Sequence, residues 1–585
     1  MTTTARLILA SSLLALLYTP LSRADACGQP ATPIAEIQGT GDRSPLAGRT
    51  VTVEGVLTLD LRHPGGFQGF YLQQADHQVD ADPRTSEAVF VYTRRPQGTA
   101  GERLRLTGRV KEYHGLTELV GIQALAVCGR EALPEPLPIN LPWQTPPEAL
   151  ENMRVRAQGP LTVIDNFRLA QYGELTLAGA DQITATELHV PGPAALDLAR
   201  RHREQRLLLD DGRRERDPRP VPWPPGGLTA DTSLRAGDRV RDLTGVLDFR
   251  FDAWRLQPEA SPTFESGNPR PPPPQRPDTP HVRVMALNLG NYFNGDGRGQ
   301  GFPTSRGADS LSQFQRQHQR LLAALQAPDP DILSLAEVEN DGYGPDSAIA
   351  QLARALGPEW RVVATPGQDG DDQIRTAMLY RADRVRAEGA PQRLTTGPFR
   401  HRGRPPLSQV FRARSGDAGV RVLSVHLKSK SCRGATGAER APGNGEGCYA
   451  NQRRHSAQAL VDWLARVPEP ANLAGTLVTG DLNAYARETP IELFRAAGYA
   501  SMTHQFQPCS AHHCPGTTYR YKGATGTLDY ALASASLQPR VLAARPWKLN
   551  ADEPRALGYQ GRLAGDAALP WRSSDHDPVI TDLRL

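Results

Sequence analysis

Lysine is nearly absent from this chain. Of 67 cationic residues, five are Lys and 62 are Arg. The bland reading is base-composition bias in the source genome; the alternative is the fit of guanidinium to phosphate oxygens. Past residue 26 no apolar run reaches the ~18 residues of a spanning helix, so the mature chain is expected to be soluble. It ends at Leu585 without a hydrophobic tail, which argues against a C-terminal anchor. Net charge is also small, +4, so bulk electrostatics does not announce a nucleic-acid binder. With only six Cys the chain is no small disulfide scaffold.

What is abundant is length, glycine and proline. A chain of 585 residues exceeds the ~250–300 at which single cores stop growing, so two to four domains are expected. Its 54 Gly and 51 Pro disfavour a helical bundle and favour loop-rich β or α/β domains.

Residues 1–26 read as an export signal: Arg6, an apolar stretch Leu7–Tyr18, then Ala24-Asp25-Ala26 as a small-x-small cleavage site. A lipidated Cys27 is the weaker alternative, because Ala24 and Asp25 match a lipobox poorly. The expected destination is the periplasm, the outer surface or the medium. Six cysteines in an exported chain suggest disulfides, and proximity suggests Cys27–Cys128, Cys432–Cys448 and Cys509–Cys514. A zinc site at Cys509, His512, His513 and Cys514 is disfavoured, because it lacks the longer spacer that folds such sites.

Residues 27–130 alternate with period two at 51–56, 89–92 and 104–107, which predicts a small all-β barrel. The segment Ala100–Gly108 resembles Ala236–Gly245, so 131–267 is expected to be a second, diverged β domain with an Arg- and Pro-rich loop from Arg200 to Gly227. Residues 268–280 hold seven prolines in thirteen and read as a semi-rigid spacer.

Residues 281–585 alternate strands with helices, which predicts an α/β domain. Strands are expected at 281–289, 331–338, 421–428, 475–480, 526–533 and 578–584, and helices at 308–326 and 451–466. Several of these strands end in polar groups: Asn288, Glu337, Asp481 with Asn483, and the run Asp575-His576 before the last strand. Asp529 sits inside an apolar strand, where a carboxylate needs a partner. Alternation puts His426 on the face opposite Leu423, Val425 and Leu427. Singly each polar residue reads as a turn or cap, but together they suit metal-assisted phosphodiester hydrolysis. Carboxylates are hard ligands for Mg²⁺, Mn²⁺ or Ca²⁺. An Asp–His couple can activate water, and amide and imidazole donors can steady a charged phosphate.

The strings VRVMALNLGNYF (282–293), LAEVEN (335–340), SVHLKSK (424–430), VTGDLNAY (478–485), GTLDYALAS (526–534) and SSDHDPV (573–579) resemble the DNase I-like endonuclease/exonuclease/phosphatase superfamily. With the N-terminal β region and proline spacer, the chain looks similar to bacterial secreted extracellular nucleases. GFYLQ (69–73) and GLTEL (115–119) resemble an OB-fold. The resemblance implies an α/β sandwich at 281–585 behind one or two OB-like barrels. It implies His576 as general base oriented by Asp529, and His426 as a donor to the phosphate. Asp481 and Asn483 would align water and phosphate, with Glu337, Asn288 and Asp575 at a divalent metal, most simply Mg²⁺. Arg375 is a candidate phosphate contact, with a salt bridge to Asp371 or Asp372 as its alternative. The expected substrate is DNA, with RNA as a further candidate, cleaved by a monomer. Tyr71, Phe90, Tyr92 and Tyr113 are candidate stacking platforms on the barrel. The alternatives are a phosphatase or phosphodiesterase for a lipid or small phosphate, and a non-catalytic nucleic-acid-binding surface protein.

Overall fold

A computed structural model describes residues 27–367, 369–401, 403–565 and 568–585. The expected export segment 1–26 lies outside the described residues. The chain forms two compact units. Among the described residues, unit 1 takes 27–136 with 146–154 and 246–252; unit 2 takes 137–145, 155–245 and 253–585.

Unit 1 is a closed five-stranded barrel. β1 (Thr50–Asp60), β2 (Gly69–Gln73), β3 (Ala88–Tyr92), β4 (Glu102–Tyr113) and β5 (Leu116–Arg130) run in the order β1-β2-β3-β5-β4. The alternating residues Val51, Val53, Leu104 and Leu106 fill its core with Val89 and Val91. Cys27 and Cys128 are disulfide-bonded. Two of the four candidate platforms are core residues. Tyr71 and Phe90 are buried, their rings 5.1 Å apart, and Tyr71 donates to Asp248 Oδ2 at 2.5 Å. Period-two alternation cannot say which face of a barrel strand points inward; here the aromatic side is covered. Tyr92 and Tyr113 are exposed.

The first part of unit 2 contains β6 (Leu161–Asp165), β7 (Leu175–Ala178), β8 (Leu207–Leu209), β9 (Arg239–Arg241), β10 (Ala253–Pro258) and β11 (Thr263–Glu265), in the order β11-β9-β6-β7-β8-β10. It is not all-β. Pro193–Glu204 is a helix, started by proline in its first turn and continued by good helix formers. The expected Arg-rich loop from Arg200 therefore begins inside a helix.

The rest of unit 2 is a four-layered sandwich. One sheet has β12 (Val282–Tyr292), β13 (Ile332–Glu339), β14 (Trp360–Val362), β15 (Ile374–Arg381), β22 (Val541–Pro546) and β23 (Val579–Leu583), ordered β14-β15-β13-β12-β23-β22. The other has β16 (Val385–Arg393), β17 (Leu407–Ala413), β18 (Gly419–His426), β19 (Leu473–Asp481), β20 (Ala500–Ser501) and β21 (Asp529–Ala533), ordered β16-β17-β18-β19-β21-β20. Helices α1 (Leu311–Gln326) and α2 (Ala348–Leu356) cover the first sheet; α3 (Ala450–Leu464) and α4 (Thr489–Ala496) cover the second. Helix α1 starts three residues later than expected because the Ser310 hydroxyl caps it, accepting from Gln313 N–H.

Strand alternation sorts these layers. Met285, Leu287, Leu333 and Leu335 pack outward with α1 and α2. Leu423, Val425, Val478, Tyr530 and Leu532 pack outward with α3 and α4. The opposite positions, Val282, Val284, Ile332, Val420, Val422, Leu477, Ala531 and Ala533, meet between the sheets. At Ser334 and Ser424, whose hydroxyls lie 2.8 Å apart, this inner layer turns polar.

Candidate active site

The inner faces that carry Val284, Val422, Leu477 and Ala531 continue, at the same parity, to Asn288, His426, Asp481 and Asp529. One alternation rule thus delivers four polar side chains to the same gap between the sheets. Register tightens the grouping: His426 pairs with Asp481, and Asp481 lies directly opposite Asp529.

Two irregularities finish the site. The β12–β13 register jumps from Asn288↔Ala336 to Tyr292↔Val338, and the β13–β15 register shifts over the same stretch. Glu337 sits at that bulge with φ +59°, and Gly290 and Asn291 facing it are also left-handed. A Glu held there costs about 1–3 kcal/mol of backbone strain. The bulge re-aims the carboxylate, which accepts from Asn291 N–H at 2.9 Å.

The groups converge closely. His576 Nδ1 lies 2.7 Å from Asp529 Oδ2, which also accepts from the Thr518 hydroxyl at 2.8 Å. Asp481 Oδ2 accepts from Asn288 Nδ2 at 3.1 Å and Asn483 Nδ2 at 2.9 Å, and lies 3.5 Å from His426 Nε2 and 4.0 Å from His576 Nε2. Glu337 Oε1 is 3.9 Å from His426 Nε2. Ser574 donates to the Asn288 carbonyl at 2.6 Å, tying the Asp575-His576 loop to the end of β12.

Burial and charge set the protonation states. Burial pushes Asp481 up to about 7, with Asp529 and Glu337 adding to it and His576 opposing. Burial also raises Glu337, and the neighbouring Asp575 carboxylate raises it further. Burial alone would lower His576, but the Asp529 and Asp481 carboxylates override it and hold the imidazole well above its usual range. His426 is driven down by burial, with Arg404, His576 and Arg306 acting in the same direction.

These donors fit a hard divalent cation. Glu337, Asp575 and the Asn288 amide offer oxygen ligands, and the mutual repulsion of Glu337 and Asp575 is what a cation relieves. Asp481, Asp529 and His576 form a second tight group, their ligand-type atoms within 4.8 Å of one another. The alternative zinc site is occupied by chemistry of another kind: Cys509 and Cys514 are disulfide-bonded, as are Cys432 and Cys448.

Arg375 is elsewhere. It is buried, donating to Asp369 Oδ2 at 2.8 Å and to the Gly342 carbonyl at 2.5 Å, with its guanidinium 4.3 Å over the Tyr343 ring. Its ion-pair partners are Asp369 and, at 3.9 Å, Asp341. Sequence reasoning missed Arg404, whose Nη1 donates to the Leu427 carbonyl beside His426, and Tyr519, whose ring lies 4.6 Å from that of His576. Arg404 lies in a proline-flanked loop without periodicity. Tyr519 follows Thr517-Thr518, whose link to Asp529 only the fold reveals.

The first part of unit 2 braces this site. Glu187 accepts from Thr527 N–H, the Thr527 hydroxyl and Ala486 N–H, and pairs with His504 at 2.8 Å. The residues leading into Asp529 are therefore held from outside the sandwich.

A sandwich whose strand ends gather carboxylates, amides and paired imidazoles defines a hydrolase-type site. Residues 285–576 match the model of the Endonuclease/Exonuclease/phosphatase family, so this region is similar to that family. No curated protein matches the sequence. Solved structures similar to it include the human Nocturnin catalytic domain with bound sulfate (20% identical, covering 52% of this chain and 94% of that one, TM-score 0.33). A mannosyl-6-phosphatase from Bacteroides thetaiotaomicron is 16% identical over 52% of this chain and 100% of its own, TM-score 0.34. AP endonuclease LMAP from Leishmania major is 14% identical over 52% and 88%, TM-score 0.32. Among the described residues no helix is long and apolar enough to cross a membrane.

Proposed function

We propose that the protein is an exported, divalent-metal-dependent nuclease that hydrolyses phosphodiester bonds of DNA, with RNA as a further substrate, and acts as a monomer. The observation that carries this is the 2.7 Å Asp529–His576 contact beside the Asp481, Asn483 and His426 cluster. With its Nδ1–H given to Asp529, His576 presents Nε2 toward Asp481 and can take a proton from an attacking water. The water oxygen bonds to phosphorus, the bond to the leaving ribose oxygen breaks, and the water's proton passes to Nε2. Asn483 is aligned by its own N–H bond to Asp481 Oδ1 at 2.8 Å. Neutral His426 is placed to donate to a phosphate oxygen. Glu337, Asn288 and Asp575 would hold Mg²⁺ or Mn²⁺, which supplies Lewis-acid neutralisation of the phosphate charge.

The domain organisation supports a polymeric substrate. On this reading the closed barrel is an OB-like nucleic-acid module, and three disulfides suit an oxidising compartment. The 268–280 stretch is no free spacer: Asn268 bonds to the Ala236 carbonyl and to Asp552, and the Pro271 carbonyl accepts from Trp547, so it is fixed to both parts of unit 2. The test is hydrolysis of plasmid, sphingomyelin and inositol phosphates side by side, with and without chelator. Metal-dependent plasmid cleavage is expected. Turnover of a lipid or small phosphate alone would replace this reading by the phosphatase one.

A further inference from the structure

Beside the catalytic cluster lies a cleft of about 1070 Å³ whose walls come from both parts of unit 2. It is lined by Ser574 and Asp575 at one place and by residues 165–171 at another. Cationic side chains outnumber carboxylates in its lining eight to five. Within it, Phe167 is 52% exposed and Tyr521 56%. Both rings stand half in water beside a cation, Arg555 at Phe167 and Lys522 at Tyr521.

Phe167 is exposed but not loose. Its N–H donates to Asp165 Oδ1 at 2.8 Å. The neighbouring Asn166 amide is buried and donates to the carbonyls of Leu234 and Asp552, each at 2.9 Å. Four residues on, the Ala170 carbonyl accepts from Arg562 Nη2 at 2.5 Å. The turn is thus fixed to the catalytic region on both sides of the ring. The Arg555 guanidinium lies 5.1 Å from the ring centroid. Tyr521 stands at the tip of the hairpin 519–526, with Lys522 5.5 Å from its ring. The same hairpin begins at Tyr519, which packs on His576.

Resting on the nuclease reading above, we infer that Phe167, supported by Arg555 and assisted by Tyr521, is a stacking platform for an unpaired nucleobase flanking the scissile phosphate. A π-face beside cations recognises a base whatever its identity, and a ring fixed in advance loses little entropy on binding. The turn that holds Phe167 belongs to the β region before the proline-rich stretch. This assigns that region a part in substrate selection. A base inside a duplex is already stacked on its neighbours, so the platform favours single-stranded or frayed polynucleotide.

The test compares kcat and KM of the full chain, with Mg²⁺, on a single-stranded oligonucleotide and on the same strand with abasic residues flanking the cleavage position. Wild type is expected to prefer the base-bearing strand by roughly 5- to 150-fold in kcat/KM, the range that base–aromatic stacking carries. Phe167→Ala should abolish most of that preference by raising KM for the base-bearing strand, with the abasic strand unaffected. Phe167→Tyr should restore it. An equal loss on both strands would make Phe167 a structural residue, and a preference that survives Phe167→Ala would place the platform elsewhere; either overturns the inference. If wild type cleaves neither strand, nor plasmid, the nuclease reading itself has failed first.

Discussion

The His576 imidazole and the Asp529 carboxylate are joined at 2.7 Å although 47 residues separate them, and neither reaches more than marginally to solvent. Asp529 orients the ring through Nδ1 and raises its basicity. His576→Ala should therefore lower phosphodiester cleavage about 10²–10⁴-fold, the scale of a lost general base. Asp529→Asn should act differently. A base works only when neutral, so a raised pKa sets the acid limb of the rate profile at high pH. Removing the carboxylate that raises it should move that limb to lower pH while kcat falls. The check is a pH profile of kcat/KM for both variants. An unmoved limb in Asp529→Asn would break the assignment.

Glu337 and Asp575 repel one another across the site, and this predicts how the protein answers to metal. Chelation should abolish cleavage, and Mg²⁺ or Mn²⁺ should restore it. Metal should also raise the melting temperature, by about 2.7 kcal/mol of stability at a hundred times its dissociation constant. In Glu337→Gln the concentration needed for half activity should rise by roughly 10- to 100-fold or more, at least what outer-shell changes cost. The metal-induced thermal shift should shrink in parallel. A full shift in the variant would mean the ion sits elsewhere.

Arg375 should behave as a structural residue. Its guanidinium meets Asp369, which also accepts from Tyr343 and Thr365 at 2.6 Å each and faces Arg393 at 2.6 Å. Arg393 stays beside Asp369 and shares its charge, so Arg375→Met should destabilise by less than the about 3–5 kcal/mol of a wholly stranded buried ion, read by denaturant titration. The KM of the fraction that stays folded should hold. A raised KM with unchanged stability would return Arg375 to the phosphate.

The contrast between Arg375 and His426 shows where sequence reading reaches. His426 was legible because its strand alternates cleanly and its outward neighbours Leu423, Val425 and Leu427 are apolar. The sandwich was legible for the same reason: period-two strands bounded by helical spacing. Register is another matter. Nothing in the string Asn288–Tyr292 announces that four residues there span two on β13, yet that bulge is what turns Glu337 inward. An arginine in a strand looks alike whether it meets phosphate or a buried carboxylate, because its partner Asp369 lies in a turn. Tyr71 and Phe90 resembled surface platforms for a similar reason: they lie opposite the barrel's own core positions Phe70, Leu72, Val89 and Val91, and only the fold reveals Val246 packing against them.

Asp552 offers a test of how the β region is tied to the catalytic one inside unit 2. Its carboxylate is buried, accepting from Arg520 Nε at 2.8 Å and from Asn268 Nδ2 at 2.9 Å. Burial would raise its pKa, but Arg520, Lys548 and Arg235 together hold it well below the usual carboxylate range. The unfolded value is about 3.9, so the folded protein keeps this group ionised where the unfolded chain protonates. Its contribution is complete above that value and is lost as pH falls toward the depressed folded one. Asp552→Asn removes the charge at every pH, although Arg520 keeps Asp181 at 2.7 Å. Urea midpoints measured from pH 7 down to pH 3 should therefore show wild type well ahead at neutrality and the gap to Asp552→Asn closing below about pH 4. Parallel curves across that range would mean that the ion pair contributes no net stability.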